Sequence, residues 1–135
     1  MDLPVSFHLQ SEQFREKFTF TAMVGEPPRH FAFNNSPHFD IGDFVAFQPF
    51  RAQDGSGTYG ATFQMDESGT RRLMTISQAK TGQYLCTKVN GQVVDMLRID
   101  TRIDDGRIVV WSGIPENVIE DLRIIFPLIN PNNPG

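Results

Sequence analysis

The segment Gly55-Ser56-Gly57-Thr58-Tyr59-Gly60 has the glycine spacing of a phosphate-binding loop, in which missing Cβ atoms let backbone N–H groups approach a pyrophosphate. That chemistry needs a helix to follow, so that its N-terminus faces the phosphates. Here Ala61, Phe63 and Met65 alternate with Thr62, Gln64 and Asp66, the pattern of a strand. A kinase glycine loop does precede a strand, but it also needs a lysine strand, a catalytic Asp loop and an Asp-Phe-Gly, which this chain does not contain. The glycines therefore read as a hairpin connection, and no nucleotide or other cofactor is expected.

The remaining reactive residue types are equally short of partners. His8, His30 and His38 fit neither a helical histidine pair nor a zinc ligand set. His38 with Asp40 or Asp43 could form an acid/base pair, although such a pair in a turn reads more simply as a solvated loop. Cys86 is the single cysteine, which excludes an internal disulfide and a multi-cysteine metal site, and its neighbours Tyr84 and Leu85 make it a small buried hydrophobe. Asp100, Asp104 and Asp105 lack the spacing and terminal glutamate of a calcium loop and read as turn formers. There is no Gly-x-Ser-x-Gly elbow. Asn34-Asn35-Ser36 is formally a glycosylation acceptor. No catalytic, cofactor-binding or metal-binding residue is assigned.

Elements that could position a site follow from periodicity. The 135 residues suit one domain with one core. A net charge of −4 with scattered basic residues argues against nucleic acid. No apolar run is long enough to span a membrane, and Met1-Asp2-Leu3-Pro4 is not a signal peptide, so the chain reads as cytosolic or as one whose leader has been removed.

Val5, Phe7 and Leu9 form one strand face, and Phe18, Phe20, Ala22 and Val24 a second. Gly25-Glu26-Pro27-Pro28 and Asn34-Asn35-Ser36-Pro37 are turns, and the loop 51–57 is expected to be flexible. After the strand ending at the polar turn Asp66-Glu67-Ser68-Gly69, a helix is predicted over 70–81, with Leu73, Ile76 and Lys80 on one face and Gly82 as its cap. Strands 84–89 and 92–99 are joined by Asn90-Gly91, whose residues tolerate the positive φ of a type I′ turn. Asp105-Gly106 turns into a strand over 107–111. A last helix from Pro115 should bury Val118, Leu122 and Ile125 and stop before Pro127. Leu73, Ile76, Leu85, Val93, Ile108, Val118 and Leu122 should form one core. The whole is an α+β fold, a largely antiparallel sheet with two helices packed on one face, extra N-terminal strands and a flexible tail over 128–135.

The segment from about 43 to 122 resembles the head of the first periplasmic domain of the protein-export subunit SecD. The resemblance rests on the order of Asp66 to Gly69, Leu73, Thr75, Gly82-Gln83-Tyr84-Leu85, Val89-Asn90-Gly91-Gln92-Val93-Val94, Ile99, Ile103-Asp104-Asp105-Gly106, Ile108-Val109 and Gly113-Ile114-Pro115-Glu116. Residues 1–42 lie outside it. It implies a non-enzymatic domain, periplasmic or exported, that contacts unfolded polypeptide or an envelope protein. Alternatives are a structural or oligomerising domain pairing through a strand edge, and an enzyme of unrecognised type. Ten of the twelve phenylalanines fall within the first fifty residues, more than a few short strands can point inward. Phe31, Phe33, Phe39, Phe44, Phe47 and Phe50 are therefore the candidate interaction surface.

Overall fold

The first strand, β1 (Val5–Ser11), is buried on both faces. Val5, Phe7 and Leu9 point into the main core, as the alternation predicts. Ser6 and His8, on the polar face, are buried as well because the next two strands fold back over them. In the computed structural model, which describes residues 4–129, the chain continues through β2 (Thr19–Val24), β3 (Arg29–Asn34), β4 (Phe39–Asp40), β5 (Phe44–Arg51), β6 (Tyr59–Met65), α1 (Glu67–Ala79), β7 (Tyr84–Val89), β8 (Gln92–Arg98), β9 (Arg107–Ile114) and α2 (Glu116–Ile125).

The strands form two sheets. The larger has the order β2-β3-β1-β7-β8 with β4 on β1, and the smaller is β5-β6-β9. All strand pairings are antiparallel, as expected for this α+β architecture. Phe7, Phe44, Phe47 and Phe63 meet between the sheets, where Leu73 of α1 and Val118, Ile119 and Leu122 of α2 close the core. The seam between β8 and β9 is held by a side chain: the Asp95 carboxylate accepts the N–H of Trp111 at 2.7 Å and that of Met96 at 2.9 Å.

A second cluster sits on the reverse of the larger sheet. Val24, Phe33 and Cys86 are buried there, with Phe20, Ala22, Phe31, Tyr84 and Met96 packed half-exposed around them. It exists because the β2–β3 hairpin curls over β1, β7 and β8, setting the Lys88 ammonium 3.7 Å from the centre of the Phe20 ring.

Several local expectations change. The segment Asp66 to Gly69 is the start of α1 and not a separate turn, since the Asp66 carboxylate caps the Gly69 N–H at 2.7 Å. Val93 is exposed because β8 carries an extra residue, Val94, opposite Thr87 and Lys88 of β7, and it is Val94 that packs against the core. Ile125 is exposed too. The buried stripe of α2 runs through Val118, Ile119 and Leu122, and Phe126 extends it against Phe44, 6.1 Å away. Phe18 lies outside β2 and faces solvent. Leu128 and Ile129, expected in the flexible tail, lie along the open edge of β5, where Ile129 N–H donates to the Phe47 carbonyl at 3.0 Å. The remainder of that tail, 130–135, is outside the described residues. The Asn90-Gly91 turn is as expected, with φ of 49° and 80°. Gly106 also has positive φ, and the Asp105 carboxylate accepts the Arg107 N–H at 3.0 Å.

Candidate functional site

The six phenylalanines singled out from the sequence do not form one surface. Phe39, Phe44 and Phe47 belong to the main core and Phe33 to the second cluster, all buried. The sequence pattern undercounted inward positions because it assumed a single sheet with one buried face: Phe44 and Phe47 point inward from a second, smaller sheet, and Phe33 is covered on the reverse of the larger one. Phe31 is half-buried between Tyr84 and the Arg29 guanidinium. Phe50 is half-buried beside Trp111, its ring lying over Gly60, where a Cβ would strike both that ring and the Val110 carbonyl. Gly60 thus serves close packing inside β6, and Gly55 and Gly57 form the β5–β6 hairpin loop.

Other aromatics take the exposed positions. Phe14 is 62% exposed and Phe18 67%, both on the β1–β2 loop, and Met23 on β2 is 53% exposed. Trp111, 61% exposed, stands apart on the open face of the smaller sheet. Sequence reading missed Phe14 because it lies outside any alternating run, and placed Phe18 inward by extending the β2 alternation one residue too far.

Phe18 walls two adjoining cavities. One, of about 540 Å³, lies between the end of β1, the β1–β2 loop and Lys80 at the end of α1. The other, of about 420 Å³, lies between Lys17, Phe18 and the β3–β4 turn Asn35-Ser36-Pro37. Asn34 and His38 line both. The loop that carries Phe18 is fixed by Thr19, whose hydroxyl accepts the Arg15 N–H and donates to the Arg15 carbonyl, each at 2.9 Å. Asn34 is fixed as well: its amide donates to the Leu9 carbonyl at 3.0 Å, and its own carbonyl accepts His8 Nδ1–H at 2.8 Å.

The two histidines near this groove are both pushed toward the neutral form. Burial lowers the His8 pKa, with the Lys88 charge adding to it, and its Nε2 accepts the Ser6 hydroxyl at 2.8 Å. Burial also lowers the His38 pKa, helped by Arg72, and His38 Nδ1 has no hydrogen-bond partner among the described residues. The acid/base pairs conceivable for His38 are not assembled. Asp40 accepts the Gly42 N–H, while Asp43 accepts the Asp40 N–H and pairs with Arg72. Cys86 is buried and its thiol is pushed up to about 12, which removes it as a nucleophile. Among the described residues no three His, Cys, Asp or Glu side chains are grouped to hold a metal.

No family model and no curated protein matches the chain. Two solved structures share its fold. One is of SecDF, a membrane component that enhances protein export, with a TM-score of 0.57 and 14% identity over 91% of this chain and 60% of that one. The other is SecDF in a super-membrane-facing form, with a TM-score of 0.56 and 14% identity over 86% of this chain and 17% of that one. The fold is SecD-like. The match extends past residues 43–122, since that segment alone could not supply 91% of the chain, and so takes in part of the N-terminal strands as well. This chain spans only part of either SecDF structure, and no helix among its described residues is long and apolar enough to cross a membrane.

Proposed function

We propose that this chain is a non-enzymatic domain, working outside the cytoplasm, that contacts other polypeptides in the groove walled by Phe18. The observation that carries this reading is the pair Phe14 and Phe18, each more exposed than buried, on one loop beside adjoining cavities. Large apolar side chains held in water by a loop with internal hydrogen bonds favour a partner that can cover them. An unfolded segment fits because it offers apolar side chains to the Phe18 wall and free backbone groups to the polar remainder of the groove. The SecD-like fold, found elsewhere in a component that enhances protein export, supports the same class of partner. The engagement of Asp40 by Gly42 and of Asp43 by Arg72, with His38 Nδ1 unpartnered among the described residues, favours a binding role over catalysis.

The test is binding of a reduced, alkylated polypeptide by the native chain and by Phe14→Ser/Phe18→Ser. Both side chains are exposed, so the variant keeps its fold. Roughly tenfold or greater weakening is expected, since two aromatic anchors are removed. Equal binding by both proteins would refute the groove as the contact site.

A further inference from the structure

β2 is the outermost strand of the larger sheet and pairs with no strand but β3 among the described residues, from Thr19 opposite Asn34 to Val24 opposite Arg29. The Thr19 N–H donates to the Arg15 carbonyl of the preceding loop, which leaves 20–24 as the open stretch of the edge. Its other edge has no strand partner among the described residues. Soluble proteins usually blunt such an edge with a charge, a proline or a bulge, because unpaired N–H and C=O groups invite another strand. Thr19-Phe20-Thr21-Ala22-Met23-Val24 has no charge and no proline, and its pairing with β3 is unbroken. The cluster behind it is also incomplete at this side, since Phe20 and Ala22 are only half-covered.

We propose that β2 pairs antiparallel with β2 of a second copy of this chain, joining the two larger sheets edge to edge about a twofold axis. An added strand must present apolar side chains on alternate positions, level with Phe20, Ala22 and Val24, and no charge between them. β2 itself meets that requirement. Opposed residues in an antiparallel pair share a face, so the axis must pass through a residue and not between two. An axis at Ala22 puts two small side chains together, sets Phe20 opposite Val24 of the copy over the exposed side of the cluster, and leaves Thr21 opposite Met23 on the outer face. Every facing pair is uncharged, which matters for two chains that each carry −4. One short strand from each copy is a small contact, so the dimer is a reversible one.

The register supplies the test. Thr21 and Met23 are exposed, so charging them leaves the fold intact. In the proposed dimer Thr21→Lys/Met23→Lys sets two lysine pairs face to face, whereas Thr21→Lys/Met23→Glu sets opposite charges together. Sedimentation equilibrium over a dilution series should give a monomer–dimer equilibrium for the native chain, a dissociation constant raised roughly tenfold for the first variant, and recovery for the second. A native chain that stays monomeric throughout overturns the proposal, as does equal disruption by both variants or a dimer indifferent to either. Phe14 and Phe18 lie outside this contact, so the Phe14→Ser/Phe18→Ser variant should dimerise normally, and loss of polypeptide binding there tests the groove separately.

Discussion

The core between the sheets and the cluster under the β2–β3 hairpin are built from the same residue type and differ in closure. Nineteen buried residues from eight strands and helices or their connections enclose the first, with Phe44 and Phe63 rings 4.8 Å apart at its centre. Three buried residues make the second, and its rim is finished by a lysine over Phe20 and by a neutral histidine edge-on to the same ring. Closing a core from all sides requires elements distant in sequence to arrive together, and loss of any one opens it. A hairpin laid on a sheet can lift away alone. The phenylalanines of the first half therefore do two jobs: Phe7, Phe39, Phe44 and Phe47 hold the domain together, and Phe20, Phe31 and Phe33 hold a flap to it.

The sharpest way to break this comparison is to truncate one ring in each region. Phe63→Ala should cost about 3–5 kcal/mol and lower the whole unfolding transition, because the cavity forms where nothing can collapse into it. Leu122→Ala, which loosens α2 from the same core, should cost about 2–5 kcal/mol in denaturant unfolding. Phe33→Ala should instead speed amide exchange in Thr19–Val24 and Arg29–Asn34 while shifting the global midpoint by less than Phe63→Ala does. Equal midpoint shifts for Phe33→Ala and Phe63→Ala would mean one cooperative core and no flap.

Gly91→Val acts on neither region. It forces a β-branched residue to φ near 80° and should cost about 1–2 kcal/mol by strain, measured by thermal unfolding with hairpin exchange elsewhere unchanged.

The smallest effect expected is that of pH. The His8 pKa is lowered in the fold, so the unfolded chain binds protons first as pH falls. Its stabilising contribution is complete above the ordinary value of 6.5 and is lost as pH falls through the lowered folded value. Acidification should therefore release β2–β3 amides before the main core, and His8→Gln should reduce that sensitivity. His38 is lowered in the same direction and belongs to the residual response.

Features encoded within a few residues are legible from the amino-acid order. The Asn90-Gly91 turn, the strand carrying Ala61, Phe63 and Met65, Pro115 ahead of α2 and the alternation of Val5, Phe7 and Leu9 each follow from local backbone or periodicity rules. The candidate site is not legible in the same way. Phe14 and Phe18 gain their meaning from exposure, and exposure depends on whether another element covers them.

Neighbours along the chain are enough to set most of the elements, their polarity and an α+β fold, because φ preferences and side-chain phase are local properties. Tertiary packing decides the rest: that the strands divide into two sheets, that one sheet buries both faces, and that Phe33, Phe39, Phe44 and Phe47 are core while Phe14 and Phe18 are surface. Alternation places Phe20 and Thr21 on opposite sides of β2, but which side meets protein depends on where the hairpin curls. That is set by packing with Cys86 and Met96, more than fifty residues further along the chain.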